Sequence, residues 1–110
     1  MSQARIPSDA RRAVRHEVCY RCEMSGIDFP AASGLIVNLS AQGCMVRCSQ
    51  EAPCGTALRF ALPILGQWQG TVVWAIGGRI GIEFDQHIPL ESYLPVLDQM
   101  MRPNDEMGVY

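Results

Sequence analysis

Apolar and polar residues alternate along most of this chain, and a period of two residues predicts β-strands. In residues 16–24 one face carries Val18, Tyr20, Cys22 and Met24. The same alternation predicts strands over residues 34–40, 44–49, 56–62, 67–76 and 79–84. Gly77-Gly78 is a strong signal for a hairpin turn between the last two. Residues 25–32 contain Gly, Asp and Pro and are predicted to form a loop.

Six short strands at regular spacing, with no helical pattern between them, predict a closed antiparallel barrel or a small sandwich. Closure is favoured because it removes the exposed strand edges. Only the C-terminal region has apolar residues at steps of three and four, from Leu90 to Met101. Because Pro95 interrupts that pattern, we expect an irregular turn at 89–93 and a helix from about 94 to 101. This helix is expected to cap the barrel or to form a dimer surface.

A chain of 110 residues with 48% apolar residues has the size and composition of one small globular domain. We expect a flexible arm over residues 1–10, a barrel domain with its helix over 11–101, and a loose tail over 102–110. No apolar run is long enough for a membrane helix, and no signal peptide is recognised at the N-terminus. These features predict a soluble cytoplasmic protein that does not insert into membranes, either a monomer or a homodimer.

Two motifs carry the candidate chemistry. The first is Arg11-Arg12-Ala13-Val14-Arg15, an R-x-x-x-R, and the second is Asn38-Leu39-Ser40-Ala41-Gln42-Gly43, an N-x-S-x-x-G. An arginine side chain can hold a phosphate, or the O6/N7 edge of guanine, with two hydrogen bonds. Asparagine and serine can both donate and accept, and a glycine permits an unusual backbone conformation or a close approach. Asn and Ser also commonly cap turns, which is the alternative interpretation of the second motif.

Pairing of the first two strands brings the motifs together. Alternation predicts that the odd-numbered residues from Leu35 to Leu39 face the core, and that Ile36, Asn38 and Ser40 face outward. An antiparallel hairpin of residues 15–24 with 33–40 places Met24 near Ser33, Glu17 near Ser40, and Arg15 beside the turn at 41–43. The arm that carries Arg11 and Arg12 can then fold over the face with Asn38 and Ser40.

The charge distribution fits a small anion better than a polyanion. All nine basic residues are arginines, and residues 1–21 hold five of them against two acidic residues. Residues 22–110 hold four arginines against nine acidic residues, and the whole chain has a net charge of −2. A protein that coats nucleic acid needs a broad basic surface, so binding to a nucleic acid polymer is disfavoured.

The order and spacing of the two motifs resemble those of the PilZ domain, a small bacterial barrel that binds cyclic di-GMP. The segment Gly70-Thr71-Val72-Val73-Trp74 and the segment from Arg79 to Phe84 are similar to the family's last two strands. The resemblance covers residues 9–100 and implies a six-stranded antiparallel barrel of the split-barrel type with a C-terminal α-helix.

The same resemblance implies the site residues of a second-messenger receptor. It implies that Arg11 and Arg15 hold phosphates and guanine faces, and that Arg12 contributes to the same contacts. It implies that Asn38 and Ser40 contact a guanine and that Gly43 shapes the loop. Trp74 either lies near the ligand or is a half-buried barrel aromatic. Binding is expected to order the arm and change the surface offered to an unknown downstream protein.

Three other functions compete with this hypothesis. One is a PilZ-like interaction module that binds no nucleotide, which the presence of both motifs disfavours. Another is an OB-like barrel for single-stranded nucleic acid, which would need a positive groove with exposed aromatics. The third is an enzyme. No Ser/His/Asp set, paired carboxylates or P-loop is recognised, and His16 and His87 are expected to be solvated, so no catalytic residue is predicted.

Five cysteines, at positions 19, 22, 44, 48 and 54, are an odd number in a chain without a secretion signal. This count argues against a disulfide framework. Cys19 and Cys22 lie three apart on one strand and therefore point to opposite faces, which disfavours a metal site. We expect buried or half-buried free thiols, with no metal and no cofactor. The sequence does not select among motility, polysaccharide export and development as the downstream process.

Overall fold

The computed structural model describes residues 14–101, which form a closed antiparallel barrel and one helix. The elements are β1 (His16–Gly26), β2 (Phe29–Leu39), β3 (Gly43–Arg47), β4 (Ala57–Leu62), β5 (Gly66–Ile76), β6 (Arg79–Phe84) and α1 (Leu90–Met101). Neighbours around the barrel follow the order β1-β2-β3-β6-β5-β4. The predicted six-stranded barrel with a C-terminal helix is therefore confirmed. The predicted arm, the predicted tail, Arg11 and Arg12 lie outside the described residues.

Strands β5 and β6 have the predicted bounds to within one residue, and the predicted alternation is confirmed in β1. The predicted inward face of β1 is buried at Val18, Cys22 and Met24 and half-buried at Tyr20. Gly77 and Gly78 have φ values of 55° and 81° and join β5 to β6 in two residues. Both angles lie in the left-handed region that glycine adopts without steric cost, which is why this dipeptide is a reliable turn signal.

The first hairpin is longer than predicted, and the predicted loop over residues 25–32 is wrong. Only Ile27 and Asp28 form the turn, because Gly26 pairs with Phe29 and both strands extend to it. Phe29 is buried in the core and anchors the start of β2. Pro30 lies beside an irregularity in the β1–β2 register, a position where a strand tolerates its missing N–H.

The strict alternation predicted for residues 34–40 is also wrong. Ile36 pairs with Val46 and Asn38 with Met45, so Val37 is an extra residue on β2, a β-bulge. The bulge lets both Ile36 and Leu39 point into the core, where each is fully buried. An extra residue reverses the alternation after it, which a pattern of single residues does not reveal.

The predicted register of β1 against β2 is wrong by one or two residues. Met24 pairs with Ala32 instead of Ser33, and Glu17 pairs with Asn38 instead of Ser40. The direction of pairing is as predicted, however. Arg15 consequently precedes the end of β1 that lies beside the 41–43 turn, as expected.

The C-terminal helix begins four residues earlier than predicted. It runs unbroken from Leu90 although Pro95 lies inside it. Proline removes one helical hydrogen bond, to the carbonyl of Glu91, and both residues are exposed so that water can satisfy that oxygen. Pro89 caps the start, since its carbonyl accepts hydrogen bonds from the N–H groups of Ser92 and Tyr93 at 2.9 and 3.0 Å.

Helix α1 contacts β1, which pairs with β4 at only two positions near its C-terminal end. The buried face of the helix adds four side chains to the barrel core, namely Tyr93, Val96, Leu97 and Met100. Leu90 and Leu94 belong to the predicted apolar stripe but are exposed. The helix therefore packs against β1, and part of its apolar stripe remains at the surface.

Candidate functional site

A cleft of about 680 Å³ lies on the outer surface of the barrel, between the 41–43 turn and the β5–β6 hairpin. It is lined by Arg15, Asn38, Ser40, Gln42, Gly43, Cys44, Met45, Val73, Trp74, Gly81, Ile82, Glu83 and His87. Four of the six residues predicted to bind ligand are in this set. Arg15 comes from the segment before β1, and Asn38, Ser40 and Gly43 come from the second motif. Arg11 and Arg12 lie outside the described residues.

The floor of the cleft is one row of residues across four neighbouring strands. Asn38 on β2 pairs with Met45 on β3, Met45 pairs with Gly81 on β6, and Gly81 pairs with Trp74 on β5. A β-bulge at Val37 precedes Asn38, and a shift between Val72 and Trp74 places a second bulge in β5. Bulges turn side chains toward a new direction, and here the two bulges mark both ends of the same row.

Trp74 lies across the strand beside it. A side chain at Gly81 would overlap the indole of Trp74, so the ring occupies the space that glycine leaves empty. Trp74 is 36% exposed, and its neighbour Val73 is exposed as well. The row thus presents a flat aromatic surface and the thioether of Met45 to the cleft, a surface that the planar face of a base could contact.

Ser40 holds the turn that follows β2. Its Oγ accepts hydrogen bonds from the N–H groups of Gln42 and Gly43, both at 3.2 Å. Its backbone N–H donates to the carbonyl of Gly43 at 2.9 Å. The residue is only 6% exposed, so the prediction that Ser40 shares an exposed face with Asn38 is wrong, although both residues line the cleft. The chain leaves the strand after Leu39, and the hydroxyl is used for turn capping.

Gly43 is required by the approach of two strands. A Cβ atom at this position would overlap the backbone carbonyl oxygen of Ile82 on β6. The close approach expected of this glycine is therefore an approach of backbone to backbone. Two further hydrogen bonds hold the turn, from Phe84 N–H to the carbonyl of Gln42 and from Ile88 N–H to the carbonyl of Ala41, each at 2.8 Å.

A tyrosine from the helix joins the two motif segments. The hydroxyl of Tyr93 donates to the carbonyl of Leu39 at 3.0 Å, and its oxygen lies 2.9 Å from Nδ1 of His16. Because the tyrosine proton is given to Leu39, the oxygen accepts from the His16 ring N–H. His16 directly follows Arg15, and Leu39 lies between Asn38 and Ser40. His16 is half-buried, so the expectation that it is solvated is wrong.

The thiols near the cleft are buried and neutral. Cys44 borders the cleft, and burial raises its pKa far above the ordinary value. Burial, together with smaller contributions from the neighbouring Glu23 and Cys48, raises the pKa of Cys22 to about 12. Because the thiolate is the reactive form, these side chains act as apolar core residues. All five cysteines are free thiols, with Cys19 and Cys54 exposed.

Sequence reasoning missed several residues of the cleft. Met45, Glu83 and His87 line it, and none of them belongs to a motif. In β6, Glu83 lies between the buried Ile82 and Phe84, so its side chain is on the opposite, outward face of the strand. This alternation could have indicated an outward carboxylate. The position of Met45 depends on the bulge in β2, and no local signal indicates it.

Comparison with known proteins agrees with this geometry. The family model described as the PilZ domain matches residues 9–100. The chain belongs to the PilZ family. This is a family of cyclic di-GMP receptors, and the resemblance to it that the sequence suggested is thereby confirmed. The membership itself does not assign a role to any single residue.

Among solved structures, the PilZ chain is similar to the Bacillus subtilis inhibitor of motility MotI/DgrA. The two share 17% sequence identity with a TM-score of 0.60. The match covers 84% of this chain and 50% of that protein, so this chain spans half the length of its neighbour. No curated protein sequence matches. Within residues 14–101 the single helix is too short to cross a bilayer.

Proposed function

We propose that this chain is a bacterial receptor for cyclic di-GMP that binds the dinucleotide in the cleft between the two motifs. The observation that carries the proposal is the convergence of Arg15, Asn38, Ser40 and Gly43 on one cleft in a PilZ chain. These residues come from two segments that are more than twenty positions apart in the sequence. The protein acts in the cytoplasm as a receptor, without catalysing a reaction.

The cleft offers the chemistry that a cyclic dinucleotide needs. Arg15 is exposed at its rim and can hold a phosphate or the O6/N7 edge of a guanine with two hydrogen bonds. Asn38 supplies a donor and an acceptor from the floor. The indole of Trp74 and the side chain of Met45 provide an apolar surface for a purine face.

Ser40 contributes by holding the turn. Its Oγ already accepts two backbone hydrogen bonds, so its hydroxyl proton is what remains for a ligand. That proton points toward the carbonyl of Gly43 at 3.4 Å, a long contact that a better acceptor can replace. A preformed turn reduces the entropy lost on binding.

Binding is proposed to order the arm that carries Arg11 and Arg12. Several arginines close together repel one another, and a ligand with two negative phosphates removes that repulsion. The arm then covers the cleft and changes the surface presented to a partner protein. Helix α1 adjoins this surface, since Tyr93 contacts both His16 and Leu39.

Isothermal titration calorimetry of cyclic di-GMP into the purified protein tests the proposal. We expect the wild type to bind with a dissociation constant in the micromolar range or lower. We expect an Arg11→Ala/Arg15→Ala variant to lose this binding. An Arg47→Ala/Arg79→Ala variant is the matched control, because it also removes two arginines but from exposed positions that do not line this cleft. An equal loss of affinity in both double variants would show that the net charge of the protein, and not this cleft, accounts for the effect.

The alternative is a PilZ interaction module that binds no nucleotide. The exposed Leu90 and Leu94 on helix α1 favour it, since exposed leucines on one helix face suit a protein partner. A folded wild-type protein that gives no heat with cyclic di-GMP would support this alternative and contradict the receptor.

A further inference from the structure

Glu83 is the acidic residue among those that line the cleft. It pairs with Gly43 on β3 and with Thr71 on β5, and its side chain is exposed. Within residues 14–101 no cation forms an ion pair with its carboxylate. An uncompensated negative charge repels a dianionic ligand, so this carboxylate opposes binding unless the ligand donates hydrogen bonds to it.

Guanine is the base that can donate such hydrogen bonds. A carboxylate accepts hydrogen bonds and donates none. The Watson–Crick edge of guanine carries two adjacent donors, N1–H and the 2-amino group, which match the two carboxylate oxygens. Adenine has an acceptor at N1 and no 2-amino group, and hypoxanthine keeps N1–H but lacks the amino group.

The position of Glu83 suits this contact. It lies two residues after Gly81 on β6 and on the same outer face, about 7 Å along the strand. A base that rests on Trp74 and Met45 therefore has an edge directed along β6 toward Glu83. Gly43, its partner on β3, has no side chain to block the path.

We propose that Glu83 is the specificity-determining residue that reads the Watson–Crick edge of one guanine of the ligand. This inference rests on the proposed function, because it assigns a role within the same cleft. Arg15 serves phosphate or the O6/N7 edge, which other anionic ligands also offer in part. Glu83 rejects a dinucleotide whose bases cannot donate, since its charge is then left without a partner.

The test compares two ligands on two variants by calorimetry at constant ionic strength. The ligands are cyclic di-GMP and cyclic di-IMP, which differ only in the 2-amino group of each base. The variants are Glu83→Gln, which keeps the shape of the side chain, and Glu51→Gln, an equal change of charge at an exposed residue outside the cleft. Circular dichroism checks that each variant is folded.

Wild type is expected to prefer cyclic di-GMP by about 5- to 150-fold, the range of one bidentate base contact. In Glu83→Gln the affinity for cyclic di-GMP falls and the preference shrinks to about threefold or less, because the amide cannot accept both donors. Glu51→Gln keeps the wild-type preference.

Three results would overturn this inference. If the Glu83→Gln variant binds both ligands more tightly and by the same factor, the carboxylate only repels the phosphates of the ligand. An unchanged preference would show that Glu83 does not read the base. In both cases the proposed receptor function would still be supported, provided that the wild type binds cyclic di-GMP and that Arg15→Ala loses this binding. Wild type that binds neither ligand would contradict the receptor and this inference together.

Discussion

Two clefts lie at different levels of the β5–β6 hairpin, and their surrounding loops differ. The first, described above, is bordered by the 41–43 turn. The second has a volume of about 470 Å³ and lies between the hairpin turn at Gly77-Gly78 and the loop after β3. It is lined by one acidic and one basic residue, Glu51 and Arg79, together with the exposed side chain of Ile76.

The difference lies in how each loop is held. In the first cleft the carbonyls of residues 41, 42 and 43 all accept backbone hydrogen bonds, and Ser40 Oγ accepts two more. In the second cleft, the N–H groups of Cys48 and Thr56 form backbone hydrogen bonds at the two ends of the loop. Within residues 14–101, the backbone of residues 49–52 forms no hydrogen bond to another backbone group. Each cleft is lined by one arginine and one glutamate, so these charged residues do not separate the two clefts. The more preorganised loop favours the first cleft as the proposed binding site.

The largest expected effect concerns the glycines of the two clefts. Gly43→Ala should lower the free energy of unfolding by about 3 kcal/mol, because the added methyl group overlaps the carbonyl of Ile82 and separates β3 from β6. Gly77→Ala should cost about 1 kcal/mol, since its φ of 55° is strained for alanine but the space beside it is empty. Urea unfolding measures both. Equal losses would contradict the view that the first turn is the more tightly packed.

The next effect concerns the arginine of each cleft. Arg15→Ala should weaken cyclic di-GMP binding by about 10- to 150-fold, the cost of one hydrogen-bonded charge. Arg79→Ala in the second cleft should leave the affinity within about twofold of wild type. Calorimetric titrations of the single variants make the comparison. A greater loss in Arg79→Ala would move the binding site to the second cleft.

A smaller effect is expected for the hydroxyls that cap the loops. Ser40→Ala removes an acceptor from two N–H groups in a buried turn and should cost about 1.5 kcal/mol of unfolding free energy. Thr56→Ala removes one exposed bond, to the carbonyl of Pro53 at 2.6 Å, and should cost about 0.5 kcal/mol. Thermal unfolding of both variants distinguishes them, and a costlier Thr56→Ala would reverse the ranking of the two loops.

The smallest effect concerns the core beneath the clefts, where Cys44 borders the first and Cys48 the second. Burial raises the pKa of Cys22 from 9.0 to about 12 and that of Cys44 further. Above pH 9 the unfolded chain therefore binds fewer protons than the folded one, and stability decreases as pH rises. We expect a loss of about 1 kcal/mol for each thiol between pH 9 and 10.

Urea unfolding at pH 8, 9 and 10 in the presence of a reductant measures this decrease. A Cys22→Ala/Cys44→Ala variant should show a flatter dependence on pH. If its dependence matches that of wild type, the decrease arises from other groups, such as Tyr20 and Tyr93, whose pKa values burial also raises.

Local signals were sufficient for much of the fold. Alternation identified β1, and Gly77-Gly78 identified the last hairpin, because side-chain period and turn conformation depend on a few adjacent residues. The same signals failed at residues 25–32, where Phe29 packs into the core and extends β2 through a segment with turn-like composition. They also failed at Pro95, because the packing of the buried helix face and the access of water to the freed carbonyl let the helix continue through the proline.

The sequence by itself determined the family, the number of strands, and the pairing direction that brings Arg15 to the same cleft as Asn38, Ser40 and Gly43. Only the tertiary structure decided that Ile36 is buried, that Ser40 caps a turn, and that Asn38, Met45, Gly81 and Trp74 form one row. The physical reason is that a β-bulge is a property of the pairing between two strands, and the residue pattern of one strand does not contain it. The bulge at Val37 reverses the side-chain alternation that any reading of β2 alone must assume.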